Sequence, residues 1–165
     1  MPKLAALAVS VGVLAVVATW IFGLGPLVTM KLQVWQAFIA WGCHFHSGGK
    51  ITGTRNTVIC MSFGAVVGMA AVLLAGKLGA LGAFGVPVAV GLGATVIVLA
   101  SKLPLLATIP ASVYGFAAIA GLILLGAGMT PVGALLPTIL SVVIGAAFGI
   151  VSEMLADALS KKSAA

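Results

Sequence analysis

Six stretches of near-continuous apolar sequence run along the chain, separated by short groups of glycine, proline and charge. The first is Leu4–Leu24, ended by Gly23, Gly25 and Pro26. The second is about Lys31–Ser47, ended by Gly48-Gly49, and a polar loop is expected at Lys50–Asn56. The third is Thr57–Ala75, the fourth about Leu81–Ala100, the fifth about Pro104–Ala127 and the sixth about Val132–Ala156, with a tail at 157–165. The runs are continuous and not alternating, which excludes a membrane β-barrel. Each is near the roughly 20 residues that a spanning helix needs. The pattern predicts an all-α integral membrane protein of six transmembrane helices in one domain. The opening run is longer than the roughly 7–15 apolar residues of a signal peptide and lacks a cleavage pattern, so it is read as the first span.

Sliding the two halves over one another suggests an internal repeat. Val11–Ala15 lies over Val90–Ala94, Trp41-Gly42 over Tyr114-Gly115, and Gly64-x-x-x-Gly68 over Gly145-x-x-x-Gly149. The expected halves are about 4–76 and 81–156. Three spans is an odd number, so the second half enters from the opposite side. That is the inverted plan of many transporters and channels.

Composition agrees with this picture. The chain of 165 residues is 62% apolar and 6% charged, against about 25% charged in a soluble domain. Its solvent is therefore lipid. The eight basic residues give a net charge of +6, but they are scattered between the apolar runs. That spread fits topology charges and not a nucleic-acid patch. With six spans, Lys3, Lys50, Arg55, Lys102, Lys161 and Lys162 share one side, and Lys31 and Lys77 the other. The bias places both termini in the cytoplasm of a multi-pass protein of a bacterial inner membrane.

The aromatic-Gly-…-Gly-Gly segment of Trp35, Phe38, Trp41, Gly48 and Gly49, with Pro110, Gly115 and Gly121 in the second half, resembles a family of small six-helix bacterial inner-membrane proteins of unknown function. The resemblance covers nearly the whole chain. It implies a membrane location and brings no substrate. His44 and His46 depart from the family pattern, where those positions are mostly aromatic or small.

Candidate chemistry concentrates in Trp35–Lys50. On a helix, Trp35, Phe38, Trp41 and Phe45 fall within about 120° and form one aromatic face, with Gly42 as a notch at its edge. This face is either the lining of a solute path or an interfacial belt with plain packing. His44 and His46 lie about 160° apart on a helix, so they cannot share a metal unless the chain unwinds at Ser47–Gly49. Together with Cys43 they would suit zinc, copper or nickel, though no acidic residue lies nearby in sequence. A gating or proton-sensitive pair at the cytoplasmic mouth is the other reading. Cys43 and Cys60 otherwise read as small buried apolar residues. In the second half, Pro110 either kinks or breaks the fifth helix, with Thr108 as a cap and Ser112 and Tyr114 adding polar contacts to the path beside Gly115. Gly64, Gly68, Gly145 and Gly149 are expected where helix backbones cross, the third and sixth spans meeting at the pseudo-axis. Glu153, Asp157 and Lys161 read as an i, i+4 ladder on a stem leaving the membrane.

No charge lies mid-span, which argues against an ion-coupled antiporter. The expectation is a channel or transporter for a small neutral or weakly polar solute, with the path at the repeat interface. The alternative is a non-transporting protein that binds a partner or senses metal or pH through the His44/His46 segment. No constellation for enzyme catalysis is present, and no cofactor is expected. The expected partners are the bilayer, the solute and a second copy of the chain.

Overall fold

The computed structural model describes residues 1–126 and 128–161, and the side chains of these except that of Lys161. Ala127, at the expected end of the fifth span, and the last four residues of the tail, Lys162 included, lie outside the described residues. Among the described residues seven α-helices follow one another: α1 Lys3–Phe22, α2 Gly25–Thr29, α3 Val34–His46, α4 Lys50–Lys77, α5 Gly85–Ala100, α6 Ile109–Leu125 and α7 Pro131–Lys161. Short 3-10 turns at Gly79–Phe84 and Pro104–Leu106 precede α5 and α6.

Four segments are long and apolar enough to cross a membrane: Lys3–Phe22, Lys50–Lys77, Gly79–Ala100 and Pro131–Ser160. Helix α6 is apolar but has 17 residues, and α3 has 13. At about 1.5 Å per residue these reach roughly 25 and 20 Å, short of the roughly 30 Å of a bilayer's hydrocarbon core. The second and fifth of the six expected segments are thus shorter than expected. Both lose length where the chain leaves helical geometry.

Two other expectations are corrected by the fold. The polar loop at Lys50–Asn56 is the first two turns of α4. Hydropathy marks where the apolar slab ends, not where a helix ends. With 28 residues α4 extends beyond the slab, and its polar start stays helical. Pro110 neither kinks nor breaks a continuous helix. The chain is already non-helical at Ala107 and Thr108, and Pro110 sits in the first turn of α6, where a missing N–H costs little. Thr108 makes no side-chain cap there.

The two long helices α4 and α7 form the centre and touch each other. The most extensive packing joins α4 to α6 and α7 to α3, after which α5 lies on α4 and α1 on α7. Glycine makes both main contacts close. A Cβ on Gly64 would meet the Ser112 carbonyl of α6, and a Cβ on Gly115 the Met61 carbonyl of α4. A Cβ on Gly145 would meet the Ala37 carbonyl of α3, and one on Gly149 the His44 ring at 2.6 Å. The two glycine pairs therefore do not cross one another as expected. Each receives a short helix instead. Helices α1 and α5 turn Val9, Val13, Val16, Val90, Leu92 and Val96 outward, which suits lipid.

Candidate functional site

Helix α3 starts after Gln33, whose N–H donates to Ser141 Oγ at 3.0 Å. It stops at Gly48 (φ 103°) and Gly49 (φ 65°), where left-handed geometry reverses the chain and Gly49 N–H donates to the His44 carbonyl at 3.0 Å. Side chains of α3 then divide between two neighbours.

Toward α7 point Ala37, Trp41 and His44. The Trp41 ring stacks on Phe148 at 5.4 Å, and its Nε1–H donates to Ser152 Oγ at 3.1 Å. The Ser152 hydroxyl donates to the Gly149 carbonyl, and Ser10 of α1 donates to the Ser152 carbonyl at 2.7 Å. Toward α6, Phe38, Ile39, Gly42, Cys43 and His46 meet Tyr114 and Ala117 around a groove of about 330 Å³. A Cβ on Gly42 would find open space, so the notch is real. The rings of His46 and Tyr114 meet edge to face at 6.0 Å. A second hollow, of about 480 Å³, lies beyond the N-terminal end of α3, with Leu32, Gln33, Leu122 and Met129 in its wall. Between the two, Gln36 ties α3 to α6, its Nε2 donating to the Ala118 carbonyl at 2.9 Å and to Thr138 Oγ1 at 3.0 Å.

Of the path residues expected from sequence, Phe38, Gly42 and Tyr114 are brought together, with Cys43 and His46 beside them. Trp35, Trp41, Pro110, Ser112 and Gly115 are not. Trp35 covers Gly121 near the other end of α3, and Trp41 belongs to the α7 contact. Ser112 and Gly115 are buried against α4, and Pro110 starts α6. The aromatic face is kept in part: Phe38 stacks on Trp41 at 5.8 Å, while Trp35 turns to Gly121 of α6.

The histidines also separate. His46 is exposed at the groove, whereas His44 is fully buried. An acidic partner does exist for His44: its Nε2 lies 3.0 Å from Glu153 Oε2 of α7, and its Nδ1 3.1 Å from Thr54 Oγ1 of α4. Glu153 Oε2 also accepts the Lys50 backbone N–H. Asp157 pairs with Lys3 at 3.5 Å, so both carboxylates reach across to other helices. The Lys161 member of the expected ladder lies outside the described side chains. Among the described residues no group of three or more His, Cys, Asp and Glu is placed to hold a metal. Cys43, His44 and His46 do not converge on one point.

Sequence reading missed Glu153, Thr54 and Gln36 as site neighbours. Gln36 carried a signal, being the amide inside an apolar helix. Three buried oxygens, Gln36 Oε1, Thr57 Oγ1 and Ser112 Oγ, have no protein partner.

No match to this chain is found among curated proteins or solved structures. A family model described as "Protein of unknown function (DUF1097)" matches residues 8–157. That span takes in every helix from within α1 to near the end of α7, and the chain belongs to this family.

Proposed function

We propose that this protein is a small facilitator of a bacterial inner membrane, passing a small neutral or weakly polar solute between α3 and α6. The observation that carries the reading is the groove at Phe38, Gly42, Cys43, His46 and Tyr114. It is mostly apolar, with a phenol and an imidazole at its rim. The hollow at the opposite end of α3 lies beyond the Gln36–Ala118 tie, with Trp35 packed on Gly121 beside the tie. That tie is the natural constriction. Solutes of this class need few fixed charges along their way, and none lies in the seam between the groove and Gln36.

The bundle is read as six crossings in two inverted halves, with both termini cytoplasmic. Packing supports this. Buried positions of α4 recur on α7 at an offset of 81: Thr57 with Thr138, Cys60 with Ser141, Met61 with Val142, Gly64 with Gly145 and Gly68 with Gly149. Contacts recur too. Gly64 on Ser112 corresponds to Gly145 on Ala37, and Gly68 on Ile119 to Gly149 on His44. These pairs align α3 with α6 at an offset of 75, which supersedes the Trp41–Tyr114 alignment and puts Trp41 opposite Phe116. The two short helices are then the paired elements at the pseudo-axis, flanked by the path. Catalysis plays no part in this reading, and a second copy of the chain is its natural neighbour in the membrane.

Flux of small neutral solutes into proteoliposomes tests the reading, wild type against Gly42→Val. The valine Cβ has open space, so the added side chain enters the groove. Flux above that of empty liposomes, reduced in Gly42→Val, is expected. Equal flux in both proteins removes the path from this groove.

A further inference from the structure

His44 is a fully buried imidazole held between Glu153 and Thr54, and space around it is made by glycine. A Cβ on Gly149 would strike its ring, and one on Gly53 its carbonyl. We propose that His44 is a proton-binding site that loads and unloads without unfolding, with Thr54 as its switch and Glu153 as its fixed counter-group.

The geometry supports two hydrogen arrangements on the same heavy atoms. Glu153 Oε2 already accepts the Lys50 N–H and is taken as an acceptor toward His44 as well, so His44 Nε2 carries a hydrogen in both. Thr54 Oγ1 stands 3.1 Å from His44 Nδ1 and 3.0 Å from the Lys50 carbonyl. With His44 neutral, the Thr54 hydroxyl donates to Nδ1. An added proton binds Nδ1, which now donates to Thr54 Oγ1, and the hydroxyl rotates to donate to the Lys50 carbonyl. One proton enters, no hydrogen bond is lost and no heavy atom moves. Loading turns a hydrogen bond from a neutral imidazole on α3 to a carboxylate on α7 into an ion pair across the turn that ends α3.

Other charges around the site are accounted for. Helix α7 supplies Glu153 and, one turn on, Asp157, which faces Lys3 of α1. Helix α4 supplies Lys50, whose backbone N–H holds Glu153, and the exposed Arg55 next to Thr54. Helix α3 supplies Cys43, beside Ser47, and His46, turned toward Tyr114. The inference stands apart from solute passage and is tested without flux.

The test is nitrogen NMR of histidine-labelled, full-length protein in lipid nanodiscs, with His46→Gln used for assignment, from about pH 5 to about pH 8. The expected result is one reversible titration of His44, a neutral form protonated at Nε2, and an unchanged backbone amide spectrum. A His44 whose nitrogen signals stay constant over that range, or a neutral form protonated at Nδ1, overturns the proposal. Thr54→Val removes the acceptor of the loaded state and is expected to change proton binding about tenfold, which moves the midpoint. Thr54→Ser is expected to restore it. A midpoint unmoved in Thr54→Val, or unrestored in a folded Thr54→Ser, overturns the switch.

Discussion

Replacing Gly64 by alanine puts a single methyl group where α4 meets α6. Its Cβ would stand 2.7 Å from the Ser112 carbonyl carbon and 2.9 Å from the Ser112 Cα. Ordinary contacts between carbons lie at about 3.5–4.0 Å, so the helices must part by roughly 1 Å. The obstacle is backbone, which has no rotamer to escape into. The cost therefore falls at the upper end of the range for overpacking, about 3 kcal/mol. Alanine's better helix propensity returns up to about 1 kcal/mol, leaving a net loss of about 2 kcal/mol. At about 2–4 °C per kcal/mol for a chain of this size, Tm falls by about 4–8 °C. Thermal unfolding in detergent, followed by circular dichroism, reads the change. Gly145→Ala is expected to behave alike, its Cβ standing 2.7 Å from the Ala37 Cα. Gly12→Ala is the control, since no atom lies within 4 Å of its Cβ, and its Tm should hold or rise slightly. A Gly64→Ala protein that melts within about 1 °C of wild type refutes the close crossing.

Gln36→Leu removes a buried amide whose Oε1 has no partner, and chemical denaturation should show a change within about 0.5 kcal/mol, whereas Thr138→Val, which deletes only one acceptor of Nε2, should cost about 1 kcal/mol. Trp41→Phe keeps the stack on Phe148 but loses the bond to Ser152, for a loss of about 1 kcal/mol in the same assay. Cysteines placed at Arg55 and Lys102 should react with an impermeant maleimide from one side of the membrane, and cysteines at Lys31 and Lys77 from the other. Labelling of Arg55 and Lys102 from opposite sides ends the six-crossing topology.

The candidate site was only partly legible in the sequence. Phe38, Gly42 and Tyr114 were legible because an aromatic-glycine notch is a local pattern, readable from helical spacing. Trp41 and Gly115 were expected on one path and pack against α7 and α4, because the same spacing does not say which neighbour takes a face. Gly145 and Gly149 draw α3 onto α7, and Trp41 follows them. The expected repeat was likewise aligned on aromatic identity at Trp41 and Tyr114, while the close contacts of α3 and α6 fall on small residues and carbonyls. His44 was read as interfacial because nothing near it in sequence pairs with it.

By itself the chain determines its apolar character and its helical class. Near-continuous apolar runs with 6% charge suit lipid, where backbone groups must be paired within helices. Glycine and proline mark where the helices stop, at Gly23–Pro26, Gly48-Gly49 and Gly128–Pro131. Only the tertiary structure decided that α3 and α6 are short, that the polar Lys50–Asn56 stays helical, and that His44 is buried against Glu153, 109 residues away. Hydropathy is a one-dimensional record of solvent. Partner choice depends on which glycine faces let two backbones approach, and that is settled only when all the helices compete for the same surfaces at once.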